Sequence, residues 1–117
     1  MSKGEIMSDI LISGLHANEI LLANASSNIA NSNTEDYKAI RTTITEGTKG
    51  SVGTTTERSE VEGTPTEEGH ETSNVDLPKE FTDMILAQRG FESILNAIST
   101  REEMMNDLMN VLTDKGE

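Results

Sequence analysis

Cysteine and tryptophan are absent from this 117-residue chain, and aromatic residues of any kind are scarce: Tyr37, Phe81 and Phe91 are the whole set. Without cysteine there is no disulfide and no thiolate ligand for a metal. A cysteine-free chain suits reducing and oxidising compartments alike. With 33% hydrophobic and 3% aromatic residues, the chain has little to bury, and one small domain of this length is marginal alone. Part of its apolar surface is therefore expected to lie against other chains. Positive charge is scarce too. Nine Lys and Arg stand against 21 Asp and Glu, a net charge of −12, which repels nucleic acid and anionic membrane surfaces. Long apolar runs are also missing. Asp9, Ser13, His16, Asn18 and Glu19 break up the first 27 residues. They read neither as a Sec signal nor as the ~18–20 apolar residues of a membrane span. If the protein leaves the cytoplasm, it is expected to do so without a cleaved signal.

The equipment of an enzyme is equally thin. His16 and His70 are the only histidines, and neither has a second histidine three or four residues away to share a metal. There is no dinucleotide fingerprint, P-loop or nucleophile elbow. Carboxylate pairs such as Glu67–Glu68 and Glu102–Glu103 read as solvated charges, with no apolar pocket in prospect to raise a pKa for acid–base work. The triplet Asn24-Ala25-Ser26 falls in the middle of a helical pattern and reads as a chance sequon. No catalytic residue, cofactor, metal or small-molecule substrate is expected.

What the chain does have is periodicity at its two ends. Over residues 7–33, Leu11, Leu15, Asn18, Leu22, Ala25 and Ile29 recur at alternating spacings of four and three, a heptad seam with one polar interruption. Ser8 or Asp9 is placed to cap the start of a helix about 35 Å long. That helix is either one half of an internal hairpin or a surface for neighbouring subunits. Over 75–113, Leu77, Phe81, Met84, Gln88, Phe91, Leu95, Ile98, Glu102, Met105, Met109 and Leu112 keep the same repeat. Sustained over five heptads, it predicts a helix of about 55 Å with a left-handed supercoil. Asp76 suits its N-cap, Pro78 its first turn and Gly116 its stop. Gln88 and Glu102 either set register or mark locally wet points of the seam. Gly90 weakens a helix interior by about 0.5–1 kcal/mol relative to Ala, which suggests that another backbone approaches closely there. Met84, Met104, Met105 and Met109 fit a core at helical spacing or a pliable binding groove.

Between the two helices, residues 34–74 are rich in Gly, Thr and Glu, with Val52 and Val61 the only apolar residues after Ile44. Such a stretch cannot offset its ordering entropy by apolar burial. It reads as a mobile insert with a weak hairpin pairing residues near 38–44 and 52–61, and with a turn at Pro65. The fold class expected is mainly α: an antiparallel two-helix coiled coil of the N- and C-terminal segments, with a short flexible or weakly β polar insert.

Both ends carry a resemblance. SGLHANEILLANASSNIANSNTEDYKA resembles the N-terminal signature of the bacterial flagellar rod and hook (axial) proteins, through Ser13, Gly14, Leu15, Ala17, Leu22, Asn28, Ile29, Ala30, Asn31, Asn33, Thr34, Tyr37 and Lys38. SNVDLPKEFTDMILAQRGFESILNAISTREEMMNDLMNVL resembles the C-terminal one, through Ser73, Asn74, Val75, Asp76, Leu77, Glu80, Met84, Ile85, Gln88, Arg89, Phe91, Glu92, Thr100, Met104 and Leu108. The sequence departs from the pattern at Ser26, where the family usually has Ala, and at Asp36, where it usually has Gly. The short insert is most like that of the small proximal rod protein C. The resemblance implies a self-assembling structural subunit of the basal-body rod whose partners are copies of itself, other rod proteins and the type III export apparatus. It implies a place in the periplasmic rod. An adaptor that binds rod or export components without polymerising is the alternative. Helix pairing or subunit contact is expected at Leu15, Leu22, Asn28, Ile29, Asn31, Asn33, Tyr37, Leu77, Phe81, Met84, Gln88, Phe91, Leu95, Ile98, Met105 and Leu112. The asparagines of the first helix end either terminate it with their own amides or bind neighbouring subunits.

Overall fold

The computed structural model describes residues 3–115; the stop expected at Gly116 lies outside them. Helix α1 runs Lys3–Ala30, strands β1 (Ile40–Glu46) and β2 (Val52–Arg58) form an antiparallel hairpin around a short 3-10 turn, and helix α2 runs Leu77–Lys115. Helix α1 begins ahead of Ser8 and Asp9, so neither caps it. The segment from Gly4 to Met7 contains good helix formers, and Glu5 stands in the first turn, where the helix dipole favours an acid. The other end closes through Asn31, whose Nδ2 and backbone N–H both donate to the Ser27 carbonyl. Asp76 stands before α2 and accepts from the Lys79 amide at 3.4 Å.

Helix α1 is the middle element, packed against α2 on one flank and against both strands on the other. The two helices are antiparallel: along α1 from Gly14 to Asn18 to Asn28, the residue met on α2 goes from Ile94 to Gly90 to Glu80. The protein measures 82 × 24 × 13 Å, with a radius of gyration of 20.7 Å, against about 13 Å for a compact domain of similar length. A thickness of 13 Å is little more than one helix with its side chains, about 10–12 Å. Such a ribbon has little interior. Among the described residues the buried apolar side chains are Ala17, Ala25, Ala39 and Ala87, joined by Asn28 and Glu80.

Helix α1 turns most of its expected seam inward, with Ala25 buried, Leu11, Leu15, Asn18 and Ile29 half-buried and only Leu22 exposed; α2 does not meet it along the seam expected there. The face of α2 turned to α1 carries Glu80, Ala87, Gly90, Ile94 and Arg101. Leu77, Phe81, Gln88, Phe91, Leu95, Glu102, Met105, Met109 and Leu112 are exposed, and Met84 and Ile98 half-buried. A coiled-coil seam at the heptad positions is therefore not what pairs the helices within the chain. The reason is polar. Asn28 holds Glu80 at one end, and Arg101 donates to the Gly4 carbonyl and the Ser8 hydroxyl at the other. These pins set the rotation of α2, and small residues let the helices close between them. At Gly90 the close neighbour is a side chain and not the backbone expected: a Cβ there would stand 2.6 Å from Asn18 Oδ1.

The insert has more order than its composition suggests. Its hairpin register pairs Ile40 with Arg58 and Glu46 with Val52, and it is tied to α1 where Asn24 donates to Thr42 Oγ1 and the Val52 amide donates to Ser13 Oγ. The following loop is held by backbone bonds from Thr72 to Thr64 and from Thr66 to His70, and by a bridge between Pro65 and Glu71. Order here comes from polar pairing rather than apolar burial. Gly63 is the tight point, because a Cβ would fall 2.0 Å from the Thr72 carbonyl oxygen. Gly63→Ala is expected to release the loop while leaving the helix pair intact. Hydrogen exchange would show it as lost protection at the Thr72 amide with unchanged protection in α1; equal protection at Thr72 would refute it.

By length and composition alone, Gly4–Ala30 is long and apolar enough to cross a membrane, although polar residues interrupt it every few positions. Its Ser13, Asn24 and Asn28 side chains, however, are committed to the hairpin and to α2.

Candidate assembly surface

The Asn-rich end of α1 is a junction of three elements. Asn28, 1% exposed, treats Ile40 as a strand partner would: its Oδ1 accepts from the Ile40 amide at 2.8 Å, and its Nδ2 donates to the Ile40 carbonyl at 2.8 Å. Oδ1 also accepts from the Tyr37 hydroxyl at 2.9 Å, and Nδ2 donates to Glu80 Oε2 at 3.0 Å. Every donor and acceptor of the amide is thereby used. Glu80, also 1% exposed, receives Arg41 Nη1 on its other oxygen at 2.6 Å. A buried carboxylate is tolerable only when paired and hydrogen-bonded, and here strand and helix supply one partner each. Asn28 thus makes its contacts within the chain. Asn31 is half-buried, donating to Ser27 and accepting from Thr34, while Asn33 is exposed. Tyr37 is half-buried, with the Arg58 guanidinium 5.4 Å above its ring.

Beside this junction lies an exposed polar clamp. Asp36 has φ 59°, the left-handed conformation that the Gly usual at that position in the resembling family adopts freely; Asp and Asn tolerate it better than most residues. Asp36 Oδ1 accepts from the Glu71 amide at 2.9 Å, and Oδ2 lies 2.7 Å from His70 Nδ1. Glu71 Oε2 accepts from Lys38 Nζ at 2.8 Å and from the Gly63 amide. The Glu71 amide, then His70, hold the Asp36 carboxyl below its ordinary value of 3.8. Lys38, then the Gly63 amide, do the same to Glu71 below 4.5. A carboxylate with a lowered folded pKa contributes stability that is present above its unfolded value and lost as pH falls through the folded one. Acidification below those ordinary values is therefore expected to open the clamp before the helices separate. NMR shifts of the Gly63 and Glu71 amides should move at a higher pH than the loss of helical circular dichroism; coincident transitions would argue against it.

Away from the junction, many large apolar side chains of α2 are uncovered. Leu77, Phe81, Ile85, Leu86, Leu95, Met105 and Leu112 are all at least 39% exposed. Leu22 of α1 joins Phe81, Met84, Ile85 and Phe91 around a groove of about 360 Å³. A larger one, about 1120 Å³, opens where α2 runs past the start of α1, between Met7, Ala97, Met104, Met105, Leu108 and Val111. Leu15 and Ile29 are half-buried. Exposed apolar side chains gathered around grooves are what interaction surfaces share. Among the described residues no group of His, Asp or Glu is arranged to hold a metal.

Two family models match in chain order. "Flagella basal body rod protein" covers residues 9–38, and "Flagellar basal body rod FlgEFG protein C-terminal" covers 70–111. The chain belongs to the flagellar rod and hook family. Among similar proteins, the flagellar basal-body rod protein FlgG of Bacillus subtilis is 54% identical over 41 residues, 35% of this chain and 16% of that protein. The flagellar hook protein FlgE of Escherichia coli is 45% identical over 49 residues, 42% of this chain and 12% of that one. For FlgE of Borreliella burgdorferi the values are 42% over 41 residues, 35% and 9%. The chain thus spans under a fifth of the length of these relatives. They are rod and hook proteins, and they do not single out proximal rod protein C. In this member of the family the two matched segments meet at Asn28–Glu80 and Asp36–His70. The hairpin falls in the unmatched stretch between them and plugs into that junction through Ile40 and Arg41.

Sequence reasoning placed Glu80 in the C-terminal signature but not at the site, and it missed Arg41 altogether. Glu80 sits one position before the seam residue Phe81, which makes it look solvent-facing. The available signal was its place in the matched segment together with a buried-type Ala87 two turns on.

Proposed function

We propose that this protein is a structural subunit of the flagellar axial tube, a short rod-type paralogue that assembles with copies of itself and with other rod or hook proteins. The observation that carries this reading is the outward heptad face of α2. Its repeat is strict enough for helix-on-helix packing, yet α1 leaves most of it uncovered: Met84 and Ile98 are half-buried, Leu77, Phe81, Phe91 and Leu95 are exposed, and Met105, Met109 and Leu112 lie where α2 runs past the described start of α1. A ribbon with so little interior, exposing Phe81, Leu95 and Met105, reaches lower free energy by lying against like ribbons. Its role is mechanical, with no catalytic step. Export through the flagellar type III apparatus without a cleaved signal, and a place in the periplasmic rod, follow from the same reading.

Sedimentation velocity over a range of concentrations tests it: the chain should pass from monomer to elongated oligomers as concentration rises. Cells lacking it should give truncated basal bodies in electron micrographs. A chain that stays monomeric at high concentration, with intact rods in the deletion strain, would favour the adaptor reading instead.

A further inference from the structure

We infer that the overhanging end of α2 is a methionine-oxidation site, at which sulfoxide formation removes the apolar docking face; the docking half of this rests on the assembly reading above. Of the five methionines among the described residues, Met84 is half-buried, while Met7, Met104, Met105 and Met109 are 51%, 66%, 51% and 59% exposed. The four exposed ones gather at one end. Met7, Met104 and Met105 line the larger groove, and Met109 lies one helical turn beyond Met105. Leu108 and Val111 complete this surface, so the thioethers supply much of its apolar character.

A thioether at such exposure is open to peroxide-class oxidants. The sulfur lone pair attacks one peroxide oxygen, the O–O bond breaks and a proton transfers. Hydrogen peroxide is reduced to water as each methionine loses two electrons and gains an S=O group. A flexible apolar side chain becomes a polar one that needs hydrogen-bond donors. Four such groups turn a dry contact surface into a hydrated one while leaving the helix backbone intact. Burial of this end in an assembled tube would shield the same sulfurs, so the unassembled subunit is the vulnerable form.

The test uses the full chain and limiting hydrogen peroxide. Peptide mass spectrometry should find Met7, Met104, Met105 and Met109 oxidised well before Met84. Self-association read by sedimentation should weaken at least tenfold with far-UV circular dichroism unchanged, and treatment with the paired methionine sulfoxide reductases should restore it. A variant with these four methionines replaced by leucine should associate like the parent and ignore peroxide. Met84 oxidising as fast as the others overturns the site. Undiminished association of the oxidised chain, loss of helicity alongside association, or peroxide sensitivity in the leucine variant each overturns the docking half. An unoxidised chain that never associates overturns the assembly reading and the docking half together, while the order of modification still decides the site.

Discussion

Replacing Asn28 with Ala is expected to destabilise the chain by about 3–5 kcal/mol, since each buried partner left unpaired costs about 1–3 kcal/mol. The substitution removes a partner from four groups at once: the Ile40 amide and carbonyl, the Tyr37 hydroxyl and one oxygen of the buried Glu80 carboxylate. Water can reach some of them after the change, which keeps the total below the sum of the separate penalties. Few other tertiary contacts can compensate, because the buried apolar side chains are all alanines. Urea unfolding followed by circular dichroism reads the effect. Asn31→Ala, which loses a bond to its own helix and one to Thr34, should cost under about 1 kcal/mol. An Asn28→Ala chain as stable as the parent would mean that the junction does not hold the fold together. The comparison also guards interpretation in cells: a motility defect from Asn28 reports folding first and subunit contact second.

Phe81→Glu combined with Leu95→Glu should show the opposite pattern. Both side chains stand on the outer face of α2, 51% and 45% exposed, so the lone chain should keep its stability to within about 0.5 kcal/mol. Association is another matter. Burying each apolar side chain contributes roughly 1.5–3 kcal/mol, and a carboxylate introduced there would have to be desolvated without a partner. At about 1.4 kcal/mol per tenfold, losing both weakens self-association by roughly two to four orders of magnitude. Sedimentation of parent and double variant at matched concentrations decides it. Equal association would show that this face is not the contact. The two experiments together separate a folding residue from an assembly residue.

That separation was only partly readable from the residues in order. The heptad of α2 is a property of one helix, and 3.5-residue spacing of Leu77, Phe81, Phe91 and Leu95 announces a packing face without reference to anything else. Asn28 was conspicuous, as was the whole Asn-rich end, yet its role could not be assigned. An amide that mimics a strand partner looks the same in sequence as one that ends a helix or meets a neighbour. Arg41 was hidden within a β-prone run of threonines and isoleucines. Its value arises only because the hairpin lies along α1 and carries the guanidinium to Glu80. At Asp36 the φ of 59° shows why Gly would suit the position, and the bond from the Glu71 amide shows what the carboxylate adds.

Local sequence determined the two long helices, the scarcity of anything to bury, the acidic polar insert and the family signatures at either end, because propensity, periodicity and composition act over a few neighbouring residues. Only the tertiary structure decided which side of α2 turns inward. That choice depends on the rotation of one helix about its axis, and the rotation is set by hydrogen bonds between residues as far apart in the chain as Asn28 and Glu80, or Ser8 and Arg101. With those pins in place, small and polar side chains and Ile94 close the pair, and most of the large apolar side chains of α2 are left facing out.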